Sequence, residues 1–554
     1  MTGFSKKILF FSLFFLLTSS NFAYAEEVFH FFVEPTYDRE DRREVGAYLQ
    51  RVTNKVNFYV DISWWNNLEE EERNHYDGVM YNLGNTFEME IYPKMTSTFG
   101  DSLEHPVDRD DRISVLFHPM REQAGGYFNS ADQYSKHQNP RSNEKKLLYL
   151  NTAILDSPIL EGYLAHEFMH LITFNQKERK RGVREEIWLN EARAEYMPTF
   201  LGYDDDYEKS NLRNRVEIFL RDPDISLTEW INQRADYGVV NIFSQYLVDH
   251  YGIEILVDSL QSEKVGIESI NYALEKNGYE EDFSDIFNQF KIAVLLNDCD
   301  LGEYYCFKNE DLHSLKVSPA TNFLPSAREG SLAIRYRSKN WAGNWHEITG
   351  GEGTLSFIFE LEEDVRVSLP YILCNYKEEC QVEILEVDNK KKELTIEGFS
   401  TEYKSLIILP SIQDKMEGFN GAERSYAFTW RAELIKEEES KERVAYLLER
   451  IAQLRERIEY LERRIREERG ECLIGAPLYY GMSGERVSCL QEFLATKPDI
   501  YPEGIVSGNF LSLTREAVIR FQEKYKEEIL SPLGLSQGTG YLGESTLAKI
   551  NQLR

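Results

Sequence analysis

The stretch Gly162-Tyr-Leu-Ala-His166-Glu167-Phe-Met-His170-Leu-Ile-Thr-Phe174 sets the tightest condition on how this chain can fold. Apolar residues Leu160, Leu164, Phe168, Leu171, Ile172 and Phe174 recur at helical spacing, and Ser157-Pro158 reads as a helix start. On such a helix His166 and His170 stand one turn apart on one face, so two imidazole nitrogens can meet at one metal ion. Glu167, one residue along, can reach a water held there. This is the H-E-x-x-H spacing, in which two His bind Zn²⁺ and the Glu is a general base. The rival reading is two core histidines with satisfied hydrogen bonds and a salt-bridged Glu.

A catalytic zinc also needs a third protein ligand and an open position. Downstream, Ile187-Trp-Leu-Asn190-Glu191-Ala-Arg-Ala-Glu195-Tyr196 offers Glu191 from a second helix. Glu195, one turn further along, either hydrogen-bonds a ligating His or is an exposed helix charge. Glu185 and Glu186 fall in the charged run from Lys177 to Glu186 and are expected to face solvent.

HEFMH followed by WLNEARAEY resembles the gluzincin zinc metallopeptidases, and more narrowly the hyicolysin-type neutral zinc peptidases. Upstream, the segments Asp108–Pro119, Gly125–Tyr134 and Leu147–Asn151 resemble the strands before the zinc helix in that family. Tyr237-Gly238 with Asn241–Gly252 resembles its C-terminal helical part. The likeness covers about residues 50 to 295, and Ala192 stands where the family commonly has Gly. It implies a zincin-like α+β fold with Zn²⁺ on His166, His170 and Glu191. Glu167 would be the catalytic base, and Tyr237 either a donor to the oxyanion or an amphipathic core residue. It further implies that the strand nearest the zinc helix binds extended substrate. Gly125 to Phe128 either forms that edge or makes an ordinary Gly-Gly turn.

At 554 residues the chain should hold several domains. Its net charge of -31, with no basic cluster to follow a phosphate backbone, excludes nucleic acid as a partner. Residues 1–25 read as a secretory signal, with Lys6-Lys7, the apolar run Ile8 to Leu17 and the small-residue site Ala23-Tyr-Ala25; a retained N-terminal anchor is the alternative. Export agrees with six Cys in three local pairs, Cys299/Cys306, Cys374/Cys380 and Cys472/Cys489. Neighbour pairing into disulfides is simplest, since no C-x-x-C spacing suggests a metal cluster.

The metallopeptidase domain is expected over 26–310. Its first part to about Leu155 should be strand-rich, with strands at Lys55–Asp61 and Arg112–Phe117 and a helix over Asp77 to Phe99; residues 205 to 295 should be mainly helical. Residues 311–432 carry short β-rich runs, Leu332–Tyr336, Thr354–Glu360, Val382–Val387, Ser405–Leu409 and Tyr426–Trp430, whose regular spacing suggests a β-sandwich packed beside the peptidase as a spacer or substrate-contacting module. In 433–470, Val444, Leu447, Ile451, Leu454, Ile458, Leu461 and Ile465 make a heptad with β-branched residues at a and Leu at d. It is either a parallel coiled coil, giving a homodimer, or a single charged helix serving as a spacer.

Residues 471–554 contain Gly481-Met-Ser-Gly484 leading to Leu490-Gln491, Gly508-Asn-Phe510 leading to Phe521-Gln522, and Gly540-Tyr-Leu-Gly543. These Gly-bearing turns leading into apolar helices resemble the all-α peptidoglycan-binding fold of three packed helices, with Leu511 where that family usually has Gly. The resemblance implies peptidoglycan as a partner. Tyr479, Tyr480, Gln491 and Gln522 are either contacts to it or structural residues. The whole reads as a multidomain, secreted zinc endopeptidase acting on protein or peptide and held at the cell wall. Two alternatives are a hydrolase of peptidoglycan stem peptides, and a non-enzymatic wall-binding protein with a structural zinc.

Overall fold

The computed structural model describes residues 27–102, 106–325, 330–387, 390–435, 437–468 and 474–554. The export signal expected over 1–25, and Cys472, lie outside the described residues. The chain forms two compact units, one ending at Glu437 and the other spanning Glu438–Arg554.

The first unit begins with a six-stranded sheet: β1 (Val28–Phe32), β2 (Glu44–Val52), β3 (Val56–Asp61), β4 (Ile113–His118), β5 (Gly126–Phe128) and β6 (Leu147–Asn151). Its order is β1-β2-β3-β4-β6-β5. β3, β4 and β6 run parallel and are buried along their whole length, which is why they read as nearly continuous apolar runs. β5 closes the edge, antiparallel to β6. The expected helical run is a helix at Glu70–Thr86, a π turn at Phe87–Ile91 and a helix at Tyr92–Phe99. Its buried Met80, Leu83, Phe87, Ile91, Met95 and Phe99 join the sheet's Val56, Phe58, Val115 and Phe117 in one core. Helices Asn211–Arg221, Arg234–Tyr251, Glu254–Leu260, Gly266–Lys276 and Phe283–Leu296 complete this lobe.

Ten strands follow: β7 (Ala320–Leu324), β8 (Ser331–Ser338), β9 (His346–Gly350), β10 (Gly353–Leu361), β11 (Val367–Asn375), β12 (Cys380–Glu386), β13 (Lys391–Phe399), β14 (Tyr403–Ile408), β15 (Ser411–Ile412) and β16 (Tyr426–Ile435). One array runs β13-β10-β16-β8 and the other β12-β11-β14-β9-β7; a single parallel pair, Phe399 with Tyr403, joins them. Leu355, Phe357, Phe359 and Trp430 of the first array share a core with Leu369, Tyr371, Leu406 and Ile408 of the second. The strands are bound to the helical lobe through its core. The Trp341 ring lies 4.9 Å from Phe283 and 5.5 Å from Phe287, and Lys291 Nζ donates to the carbonyl of Leu409 at 2.6 Å.

Two disulfides, Cys299–Cys306 and Cys374–Cys380, match the expected local pairs and fit an oxidising compartment. No helix among the described residues is long and apolar enough to cross a membrane.

Glu437–Glu468 is one continuous helix, which from Glu438 on belongs to the second unit. Leu447, Ile451, Leu454, Ile458 and Leu461 line it at 44–56% exposure. Helices Glu485–Ala495, Ser512–Lys524 and Glu544–Gln552 enclose a core that includes Leu490, Phe510, Val518, Phe521 and Leu542. Each follows a turn with a glycine at positive φ, Gly481 (94°), Gly508 (70°) and Gly540 (71°), a conformation glycine adopts without a Cβ penalty. Gln491 and Gln522 are buried clamps across these turns. The Gln491 amide donates to Asn509 O and Thr514 Oγ1 and accepts from Gly508 N; Gln522 does the same with Tyr541 O, Thr546 Oγ1 and Gly540 N. Both are structural. Tyr479 and Tyr480 are exposed.

Glu185 corrects an expectation, because it is buried. Arg193, wholly buried on the helix Ile187–Leu201, needs an anion, and Glu185 supplies it at 2.8 Å. Lys177 Nζ lies 3.5 Å from the same carboxylate and donates to the carbonyls of Ser259 and Ser262. Glu186 is half-buried and accepts from Trp188 Nε1 at 2.7 Å and Gly418 N at 2.6 Å. A run of charges that looks solvated in the sequence thus pairs within the fold. Removing one partner of a buried pair strands the other, so Glu185→Ala should lose about 3–5 kcal/mol. Urea unfolding followed by tryptophan fluorescence checks this, and an unchanged midpoint would contradict it.

Candidate metal centre

His166 and His170 lie on the helix Leu160–Thr173. The helix is anchored by Phe168, whose ring meets Phe87 at 5.0 Å and Tyr92 at 5.8 Å. The helix Ile187–Leu201 packs across it. The two meet where Gly162 faces the Pro198 ring, and even a Cβ at 162 would stand in ordinary van der Waals contact with that ring at 3.4 Å. Small Ala192 and Ala194 on the second helix are likewise buried.

The crossing brings His166, His170 and Glu191 together, with one potential ligand atom from each inside a 4.8 Å group. The two Nε2 atoms are 3.1 Å apart, and Glu191 Oε2 lies 3.4 Å from His166 Nε2 and 3.6 Å from His170 Nε2. Both rings therefore point the same nitrogen at one carboxylate oxygen. The outer nitrogens are also held: His170 Nδ1 lies 3.2 Å from Asn190 Oδ1, and His166 Nδ1 lies 3.5 Å from Glu195 Oε1. Glu195 is buried rather than an exposed helix charge. Arg215 grips it through two bonds of 2.7 Å, and Asn241 Nδ2 adds a third. Orientation of this kind fixes which ring nitrogen is free to bind a metal.

Glu167 is buried against β5. A Cβ on Gly126 would come within 2.9 Å of Glu167 Oε1, so only glycine lets the strand pass this close. The stretch Gly126–Phe128 is accordingly the edge strand, with Gly125 packed under Tyr163. Oε2 of Glu167 and Oε2 of Glu191 are buried with no hydrogen-bond partner among the described residues. Unpartnered carboxylate oxygens beside two imidazoles are what a divalent cation would satisfy, and the N,N,O donor set suits one that accepts both atom types.

Tyr237 is half-buried in the same region. Its ring meets Trp230 edge-on at 4.9 Å with Arg215 over its face at 5.0 Å, and its hydroxyl donates to Asn232 Oδ1 at 3.3 Å. Asn190, Arg215 and Asn232 went unremarked in the sequence. Asn190 could have been found by its place beside Glu191, whereas Arg215 and Asn232 reach the site only through the fold.

Electrostatics follow from this crowding. Burial pushes the Glu167 carboxyl up to about 7, against the pull of His166 and His170. Burial would lower His170, but Glu191, Glu167 and Asn190 outweigh it and raise the imidazole to about 9. Burial would raise Glu191, but the two histidines hold it far below the usual carboxylate range. Burial opposes the charge on Glu195 too, and Arg215 more than compensates.

No family model and no curated protein matches the chain. Among solved structures it is similar over short spans to the Yersinia pseudotuberculosis-derived mitogen, at 10% identity over 20% of this chain and 89% of that one, with a TM-score of 0.15. It is also similar to the pre-peptidase C-terminal domain of collagenase from Bacillus anthracis, at 4% identity over 21% of this chain and 94% of that one, again with a TM-score of 0.15. Aeromonas hydrophila PliG, a periplasmic lysozyme inhibitor, shows 6% identity over 21% and 96% with the same TM-score. Likeness at that level assigns neither fold nor function.

Without metal, Glu167 and His170 keep protons that the unfolded chain has released. Their contribution to stability is complete below the unfolded values and falls as pH rises through about 7 and about 9. A metal must displace the His170 proton, so affinity for Zn²⁺ should climb about tenfold per pH unit below the His170 value. Chelator competition between about pH 6 and about pH 8 measures this; a flat profile would rule out a ligand role for a protonated His170.

Proposed function

We propose that the protein is a zinc-dependent endopeptidase, held at the cell wall by its C-terminal module. The observation that carries the reading is the convergence of His166, His170 and Glu191, with Glu167 buried beside them and one of its oxygens unpartnered. Zinc held by those three residues would supply a Lewis acid that polarises a peptide carbonyl and acidifies water. A structural site has no use for a proton-accepting carboxylate beyond its three ligands.

In this reading the chain's own groups divide the work. Glu167 takes the proton of the attacking water and returns it to the leaving amine, a task suited to a carboxyl raised to about 7. Asn190 and Glu195 keep the two imidazoles turned toward the shared point. β5 offers its outer edge to an extended peptide, which would add to the sheet as a further strand. Tyr237 lines the same wall, with its hydroxyl engaged by Asn232.

The first unit corresponds to a zincin-like lobe with a β-sandwich fused to it. The helix Glu437–Glu468 serves as a spacer. Its apolar stripe also permits pairing with a second copy. The three-helix module is read as the peptidoglycan binder. Tyr479 and Tyr541, exposed and 6.4 Å apart, present a surface suited to sugar rings.

Glu167→Gln should retain zinc and lose about 10²–10⁴-fold in turnover of an unfolded protein substrate. Full proteolysis by that variant would remove Glu167 from the role. Isolated cell walls should co-sediment with the intact protein, and Tyr479→Ala/Tyr541→Ala should weaken that binding without changing proteolysis. Release of stem peptides from those walls, with no cleavage of the protein substrate, would favour the wall-hydrolase alternative.

A further inference from the structure

Along the helix Glu437–Glu468, Leu447, Ile451, Leu454, Ile458 and Leu461 follow one another at alternating steps of four and three, so they form one continuous stripe. All five are exposed, and none belongs to an apolar core among the described residues. Leu448, more exposed still, lies along one margin of the stripe. Six such side chains place on the order of 500 Å² of apolar surface in one strip, a size at which exposed patches mark interaction sites.

The other margin carries Arg450 and Arg457. Arg450 Nη1 donates to Gln453 Oε1 at 3.1 Å, and the Arg457 guanidinium lies over the Tyr460 ring at 5.2 Å. Each partner is three residues further on, about 130° around the helix from the midline of the stripe. Both guanidinium groups are therefore drawn outward by their own helix, and the apolar strip is left open.

A second copy of this helix fits that strip. Laid parallel and in register, the Ile451 and Ile458 layers meet their own kind, as do the layers of Leu447, Leu454 and Leu461. Ile at a with Leu at d is the set that two parallel strands prefer. The sequence carries the same register outward to Val444 and Ile465. Two strips face to face withdraw about 1,000 Å² from water, the scale a specific interface must reach. An antiparallel copy would set the Arg450 and Arg457 margin against the same margin of its partner, like charge on like charge. In the parallel pair that margin faces Leu448 and Arg455 instead, so like charges meet only at Arg455.

We propose that the helix Glu437–Glu468 pairs with the same helix of a second copy as a parallel two-stranded coil. Parallel pairing brings both C-terminal modules to the same end of the coil, so the dimer holds a wall through two modules at once. That last consequence alone rests on the wall attachment proposed above.

Sedimentation of the full chain over about a hundredfold range of micromolar concentration should show a dimer, and the double variant Ile451→Lys/Ile458→Lys should be a monomer. Neither side chain joins a core, so the variant should keep the wild-type melting curve and proteolysis. Leu454→Cys should form an interchain disulfide under mild oxidation, because only the parallel register sets position 454 beside itself. A wild type that stays monomeric over the whole range overturns the proposal, as does a dimer that the double variant leaves intact. Thiols at position 454 that never join overturn the parallel arrangement. Co-sedimentation with isolated walls should weaken about 10²-fold in the double variant, the scale of lost bivalency. Equal binding by variant and wild type overturns the two-module hold. Wild-type dimers that leave the walls unbound overturn the wall reading while the pairing stands.

Discussion

Two helices meeting at Gly162 and Pro198 impose the arrangement on which the site depends. That contact sets Glu191 3.4 Å and 3.6 Å from the inner nitrogens of His166 and His170. Three carboxylates, Glu167, Glu191 and Glu195, are thereby crowded into a region with little water. Unpaired charge in such surroundings is expensive, so each needs a partner. Arg215 satisfies Glu195, whereas one oxygen each of Glu167 and Glu191 is left without a hydrogen bond. The remaining demand is for positive charge at the point both imidazoles face.

Support for that arrangement is layered behind it. Glu185, Arg193 and Lys177 lock the connection between the two helices to the segment from Ser259 to Gly266. Glu186 carries the same connection to Gly418 in the strand-rich lobe. The lobe is therefore part of the scaffold, since displacing it would disturb the residue immediately before the Glu191 helix. On the opposite side, β5 confines Glu167, with Gly126 closest to it. The centre is thus bounded by the two helices and the sheet edge, regions distant in the chain.

Much of the fold was legible in periodicity. Leu160 to Phe174 announced a buried helix because its apolar residues recur every three or four positions, and β4 announced itself as a nearly continuous apolar run broken by Ser114. In the strand-rich lobe, β8, β10, β12, β14 and β16 were visible as alternating β-branched and aromatic segments. Their partners were not. β11 contains Pro370 and β13 begins Lys391-Lys392-Glu393, so each departs from the usual strand composition while being held by neighbours on both sides. Glu185 was misread for the same reason, because a charge run looks solvated until the residue that neutralises it is known.

The sequence alone determined the spacing of His166, Glu167 and His170, since helical geometry makes residues four apart share a face whatever surrounds them. It likewise marked Glu191 on a second helix and the glycine turns of the C-terminal module. Only the tertiary structure decided that Glu191 and not Glu185 faces the histidines, that Arg215 neutralises Glu195, and that Asn232 takes the hydroxyl of Tyr237. Those choices depend on which charges and rings are brought together over long separations, and local periodicity carries no record of that.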